Sequence, residues 1–343
     1  MSASPRRLLI LLLGAIGDVT RALPLLCRVR RGFPDAQIAW GVEPLAAPLL
    51  DGHRHLDERI VFQRDQGMAG FVAFVGAVRR RRFDVVLDLG RLLKSGIVAR
   101  MSGAPVRIGF HRRNSREGNW RFQTETIAPQ EHYSSKLEQY QRFADHLGIA
   151  PAPVEFGLAP NAAERERARS LLGAVPRPFA AFVLGSSCPS RRWFPDRTAE
   201  VARTLWREHG LGVALLGTAA DRPFAAGVHD AAEVPLRDLV GSTTLRELVA
   251  VLAEAALVIT PDSGAMHIAA AVGAPVVSLW GATSAARSAP YGSADRIVVG
   301  EAACAPCYRR HCRIGRVCMQ AVETQDVLAH AAVVLGGGVR AAR

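Results

Sequence analysis

Short apolar runs alternate along the chain with longer stretches of mixed polarity, the pattern of βαβ units whose parallel strands are buried on both faces. In the first half, Leu8–Leu13, Gln37–Val42, Arg59–Gln63, Val85–Leu89 and Val106–Gly109 read as strands, and helical spacing of apolar positions predicts helices at about 18–31, 68–82 and 92–101. Near Ala150 the alternation stops in a proline-rich stretch that ends at Pro160 and reads as an extended connector. It resumes with strands near Phe179–Leu184, Val213–Leu216, Leu257–Ile259 and Pro275–Leu279, and helices near 196–209, 244–254 and 264–272. This predicts an α/β protein of two doubly wound Rossmann-like domains, residues 1–155 and 156–343, facing a central cleft, with ligands at the carboxyl ends of the strands. A chain of 343 residues is also longer than one hydrophobic core usually organises.

Composition adds little until charge is divided along the chain. Hydrophobic residues at 49% and charged ones at 22% fit a folded globular protein. The net charge of +12 sits mostly in residues 1–150, with 23 basic against 14 acidic residues, while the rest carries 20 against 17. Nucleic acid, an anionic membrane surface and an acidic substrate all reward such a field, and the N-terminal half is the one expected to face the anion. Arg6 and Arg7 followed by Leu8–Leu13 imitate a secretory leader, but the apolar run is short and Asp18 falls where a cleavage region would be, so a buried first strand is expected. No run reaches the 18 apolar residues of a membrane span. A cytoplasmic protein with at most peripheral contact with the inner membrane surface is expected.

Three loops carry candidate chemistry. Gly14-Ala-Ile-Gly17-Asp18 turns from the first strand into a helix. Its spacing is wrong for the dinucleotide fingerprint, and an acidic residue at the helix start would repel a pyrophosphate. Asp18 is therefore either a helix cap or a carboxylate able to take a proton from a hydroxyl, and both can hold. Val183-Leu-Gly-Ser186-Ser187 is followed by Arg191-Arg192-Trp193, a strand end where small hydroxyl residues and fixed positive charge suit a phosphate; the bland alternative is a solvated basic loop with Trp193 packed on the sheet. In Thr260-Pro-Asp262-Ser263-Gly264-Ala-Met266-His267, Asp262 can cap a helix whose first-turn amides form an anion site, although a histidine one turn inside such a helix is often structural.

Taken together, Gly-Ala-Ile-Gly-Asp-Val at 14–19, Asp-Leu-Gly-Arg-Leu-Leu-Lys-Ser-Gly at 88–96, Arg-Ile-Gly-Phe at 107–110, Arg191-Arg192-Trp193 and Pro-Asp-Ser-Gly-Ala-Met-His at 261–267 resemble the ADP-heptose:lipopolysaccharide heptosyltransferases, glycosyltransferase family 9. The resemblance implies a GT-B fold with an N-terminal acceptor domain, a C-terminal ADP-sugar domain and a lipopolysaccharide inner-core acceptor. It implies that Asp18 is the general base of an inverting transfer, that Ser186, Ser187 and Arg191 bind phosphate, and that Asp262, Ser263, Gly264 and His267 form a second diphosphate site. Arg192, Thr243 and Met266 complete the expected donor set, and Asp221 is the counterpart of an acidic residue that holds the donor ribose. The family's usual lysine before the tryptophan is here Arg191-Arg192, which leaves open which arginine meets the phosphate; its Asp-Leu-Gln-Gly segment is here Asp88-Leu-Gly90-Arg91. On the acceptor side, the positive excess singles out Lys94, Arg112, Arg113 and Arg116, against the reading that these arginines merely solvate a loop.

Cys304, Cys307, Cys312 and Cys318 have the spacing of a structural zinc site, or of an empty cluster of reduced thiols, which is the reading we favour. With no Asp-x-Asp pair in the chain, a diphosphate is expected to meet arginines and helix termini, with no cofactor required. Two other functions compete: a Rossmann oxidoreductase, against which the missing fingerprint counts, and a basic RNA-binding protein, for which the run Arg79–Arg82 is the best signal but stands at a helix end, where cations suit the dipole.

Overall fold

A computed structural model describes residues 4–131 and 134–338. The chain divides into two compact units, Met1–Leu158 and Ala159–Arg343. The first holds β1 (Arg7–Leu11), α1 (Ile16–Gly32), β2 (Gln37–Val42), β3 (Glu58–Val61), α2 (Gly67–Arg80), β4 (Val85–Asp88), α3 (Leu93–Met101), β5 (Val106–Gly109), β6 (Glu125–Thr126) and α4 (Lys136–His146). Its six parallel strands are ordered β3-β2-β1-β4-β5-β6.

The second unit holds α5 (Ala162–Leu172), β7 (Phe179–Val183), α6 (Pro195–His209), β8 (Gly212–Leu216), α7 (Arg222–Ala232), β9 (Arg237–Asp238), α8 (Leu245–Ala253), β10 (Leu257–Pro261), α9 (Gly264–Ala271), β11 (Val276–Trp280), α10 (Ala285–Ser288), β12 (Ile297–Val299), α11 (Val317–Gln320) and α12 (Thr324–Gly338). The sheet runs β12-β11-β10-β7-β8-β9, again all parallel, so each unit reproduces the doubly wound order with its reversal beside the first strand.

The apolar runs become strands because helices on both faces of each sheet remove them from water. Leu8, Leu9, Ile10 and Leu11 of β1 and Phe179, Ala180 and Ala181 of β7 are wholly buried. In the first unit α1 packs on α4, and Arg28 pins the pair by donating to Asp145 Oδ1 at 2.9 Å, Ile149 O at 2.6 Å and Gln141 Oε1 at 3.1 Å. In the second, α5 and α8 start in capping boxes, Asn161 with Glu164 and Thr244 with Glu247, and Arg246 joins the two helices through Glu164 at 2.7 Å. Trp193 is buried, and its indole N–H donates to Val322 O at 3.1 Å, which ties the loop after β7 to the segment that opens α12.

The sequence pattern misses β6, β9 and β12, which have two or three residues each and lie at or next to a sheet edge, where no apolar run is required. It also misses α4, α5, α7 and α12. Two of these, α4 and α5, are polar enough to read as loop, and their burial comes from the neighbours α1 and α8. The Arg79–Arg82 run closes α2, and Arg81 binds Glu58 in a two-armed ion pair, so part of its charge is already spent within the fold.

Candidate active site

Both units gather loops at the carboxyl edge of the sheet, beside the reversal of strand order. In the first, β1 and β4 end side by side, with Leu11 opposite Asp88. The chain leaves β1 through Gly14 and enters α1 with Ala15 as the capping residue, whose carbonyl accepts from Asp18 N at 2.9 Å. Asp18 thus lies in the first turn and does not cap the helix. Its Oδ1 instead accepts from Arg21 Nη2 at 2.6 Å, one turn along the same helix, and from Lys136 Nζ at 2.8 Å, the first residue of α4. Among the described residues its Oδ2 accepts no hydrogen bond. Burial alone would push the Asp18 carboxyl up; Lys136 and Arg21 outweigh it and hold the group well below the usual carboxylate range.

Asp88 is built differently. It is wholly buried, its Oδ1 accepts from Gly90 N at 2.9 Å, and its Oδ2 accepts from Asn119 Nδ2 and Gln123 Nε2, both at 2.8 Å. Gly90 has to be glycine here, since a Cβ would stand 2.2 Å from Ser95 Oγ. Beyond it, Arg91 lies over the Phe110 ring and bonds Gln139 of α4, Leu93 N donates to Glu117 Oε2 at 3.0 Å, and Arg116 N donates to Arg91 O at 2.8 Å. The loops after β4 and β5 and the start of α4 therefore form one assembly around the end of β1. Lys94 sits in it with its ammonium 5.0 Å from the Phe62 ring. Arg112, Arg113 and Arg116 are exposed on the turn after β5, and their side chains form no ion pair among the described residues.

In the second unit the loops after β7, β10 and β11 meet. Ser186 Oγ donates to Asp262 O at 2.9 Å across the strand reversal, and Asp262 Oδ2 accepts from Thr283 Oγ1 at 2.7 Å and pairs with Arg191 Nη1 at 2.9 Å. Ser263, not Asp262, caps α9, taking the Met266 amide at 3.4 Å, and Asp262 is left to hold Arg191. Gly264 opens the helix; Met266 and His267 are buried one turn in, whereas Ser187 is exposed. Arg192 turns the other way, its Nη2 2.7 Å from Asp221 Oδ1, a charge contact too bent to count as a hydrogen bond. Asp221 is buried after β8, its Oδ2 accepting from Thr218 N at 2.9 Å and Thr218 Oγ1 at 2.8 Å. Thr243 lies just before α8, on a loop bound to the β8 loop by Gly241 N donating to Gly217 O at 2.9 Å.

Sequence reasoning missed Arg21, Lys136, Asn119, Gln123 and Thr283. Lys136 carried one signal, as one of two lysines in a chain whose cations are otherwise arginine. Of the four clustered cysteines, Cys304 is exposed, Cys307 and Cys312 are half-buried, and burial pushes the Cys318 thiol up. Among the described residues no group of three or more His, Cys, Asp or Glu stands close enough to hold a metal ion. No described helix is long and apolar enough to cross a membrane.

Each unit is thus a doubly wound parallel sheet, one with the charged Asp18 carboxylate beyond the end of its first strand and the other with the α9 start beside Arg191, and the comparisons with known proteins assign this pair to the GT-B glycosyltransferases. The chain belongs to glycosyltransferase family 9 (heptosyltransferase), whose family model matches residues 71–318. It is 27% identical to the lipopolysaccharide core heptosyltransferase OpsX of Haemophilus influenzae, over 86% of this chain and 84% of that protein. It is also 27% identical to lipopolysaccharide heptosyltransferase 1 of Pseudomonas aeruginosa, over 89% of this chain and 87% of that protein. Among solved structures, a family 9 glycosyltransferase from Veillonella parvula aligns with a TM-score of 0.83 at 21% identity, covering 98% of both chains, and Escherichia coli ADP-heptose lps heptosyltransferase II with 0.79 at 22%, covering 97% of this chain and 99% of that one.

The site has a pH signature of its own. Burial pushes the Asp88 carboxyl up to about 6, against the hydrogen bonds from Asn119, Ser95, Gly90 and Gln123 that pull it down. A carboxyl raised in the folded state contributes stability that is full below the unfolded value near 4 and lost as pH rises through 6. Relative to Asp88→Asn, the wild type should lose on the order of 3 kcal/mol of unfolding free energy between about pH 3 and about pH 7. Urea midpoints of both proteins across that range test this; parallel curves would show that Asp88 titrates normally.

Proposed function

We propose that the protein transfers a heptose or related sugar from an ADP-sugar to a lipopolysaccharide inner-core acceptor, with inversion and with Asp18 as general base. The carrying observation is Asp18 itself. It is a charged carboxylate at a sheet's carboxyl edge that caps nothing; the macrodipole and Arg21 suit its place in the first turn of α1, but the helix does not call for the second cation that Lys136 brings from α4. Solved relatives described as an Escherichia coli heptosyltransferase with ADP and with ADP-2-deoxy-2-fluoro heptose support the choice of donor. In the reaction the acceptor oxygen attacks the anomeric carbon as Asp18 takes its proton, and ADP departs from the opposite face. Asp18→Asn keeps the size but cannot accept the proton, and kcat should fall by roughly 10²–10⁴-fold with ADP affinity little changed, while thermal stability falls because Arg21 and Lys136 lose their ion-pair partner. Near-normal turnover would remove Asp18 from the chemistry.

On the donor side, the pairing of Arg191 with Asp262 beside the α9 start favours Arg191 as the phosphate contact and Arg192 as the partner of Asp221, the expected ribose ligand. Ser186, Ser187, Thr243, Ser263, Gly264, Met266 and His267 complete the donor set we infer. The positive charge gathered here would do the work of a divalent cation. Arg191→Ala should weaken ADP binding by about 1.5–3 kcal/mol, the scale of charge-assisted hydrogen bonds, and EDTA should leave turnover intact. Calorimetric ADP titration of the variant tests the first point; a strict demand for added Mg²⁺ would defeat the second.

For the acceptor we infer an anionic glycolipid met at the inner membrane surface by a cytoplasmic enzyme. Half-buried Lys94 at the start of α3 and the exposed Arg112, Arg113 and Arg116 share their sheet edge with Leu45, Met68, Val72, Leu92 and Trp120, all more than a third exposed, a mixture of cations and apolar side chains that suits a lipid interface. Replacing Lys94, Arg112, Arg113 and Arg116 with Ala should raise acceptor KM about tenfold or more and leave donor KM unchanged. Steady-state kinetics with each substrate varied would show it, and equal loss of both would count against this acceptor face.

A further inference from the structure

Asp18 is clamped by two cations on one oxygen, which makes it a poor base, yet on the reading above it has to take a proton. We propose that Lys136 is a positioning residue shared between Asp18 and an anionic group on the acceptor sugar, a carboxylate or phosphate, so that uptake of an anionic acceptor draws the ammonium away and leaves Asp18 competent to accept the hydroxyl proton. This rests on the assignment of Asp18 as base and adds to it a rule for which acceptors are used.

The two cations are not equivalent. Arg21 rises from the helix that carries Asp18, three residues on, and its side chain is only 10% exposed. Its planar fork is fixed in place by that packing. Lys136 comes from another element, is 24% exposed, and ends a flexible four-carbon stem in a hydrated point charge with three rotatable donors. The backbone beneath it is held: Arg28 locks α4 to α1, and Gln139, one turn past Lys136, bonds Arg91 and, through Nε2, Ser134 O at 2.8 Å. Movement is thereby confined to the Lys136 side chain. Among the described residues Arg21 and Lys136 are the charged groups that act on Asp18, so when Lys136 turns to an acceptor anion Arg21 remains and the carboxylate regains basicity. Both cations use Oδ1, which leaves Oδ2 as the oxygen to receive the proton.

The step balances without a further reagent. The acceptor oxygen forms its bond to the anomeric carbon with its own electron pair, its proton passes to Asp18, and the bond from that carbon to the ADP oxygen breaks with the pair leaving on ADP. Lys136 keeps all its protons. A neutral acceptor, having nothing to offer the ammonium, leaves Asp18 clamped.

The experiment uses the full chain with an ADP-sugar donor and two acceptors, one anionic and one with the anion amidated or removed. The wild type should favour the anionic acceptor by about tenfold or more in kcat/KM, and Lys136→Met should cut that preference by about threefold or more, the remainder resting on Lys94, Arg112, Arg113 and Arg116. In Lys136→Met the pH profile of kcat/KM for the donor should also gain an acid limb at a higher pH than in the wild type, because Asp18 has lost a cation. Lys136→Arg, which keeps the charge and folds even if the Met variant does not, should retain the preference in KM with a reduced kcat. A preference for the anionic acceptor that is undiminished in Lys136→Met, or an unmoved acid limb, would overturn the proposal. If instead Asp18→Asn turns over normally, the base assignment has failed, which is a different result from failure of Lys136 alone.

Discussion

Everything in this molecule hangs on the pairing of one strand in each unit with two others on its opposite sides: β1 between β2 and β4, and β7 between β8 and β10. In a parallel sheet this reversal sends successive crossovers to opposite faces, so the loops after the central pair diverge and expose backbone and side chains at their carboxyl ends. Leu11 and Asp88, at the strand ends, owe their adjacency to it, as do Ser186 and Asp262. None of these residues is near its partner in sequence. The price of the arrangement is that several polar groups are buried at the strand ends and must find partners there.

How those partners are found separates scaffold from chemistry. Asp88 and Asp262 take neutral donors or a single cation and serve to fix loops, each joining segments that are otherwise distant. Asp18 takes two cations and joins the start of α1 to the start of α4. A carboxylate held by two cations from different elements at a sheet's carboxyl edge is a mark of a functional site.

The sequence made the βαβ rhythm visible because buried parallel strands must be apolar on both faces, and it placed the three loops that matter because glycine, serine and aspartate cluster where strands turn into helices. The glycosyltransferase family was legible for the same reason, since its motifs are those loops. What it could not show were relations that exist only after folding. Whether Asp18 or Ala15 caps α1, and whether Asp262 or Ser263 caps α9, depends on a shift of the helix start by a few residues, which local composition does not fix. Lys136 lies 118 positions from Asp18, and Gln123 35 from Asp88, with only ordinary helix and loop residues around them.

The bond from Trp193 to Val322 has a consequence for how the molecule ages and breaks. The loop that bears Arg191 and Arg192 is anchored by its next residue to the carbonyl two positions before α12, and α12 packs beneath β10, β11 and β12. The helix α12 is thus a wedge behind the loop after β7, and loosening it would release the segment that carries Arg191 and Arg192.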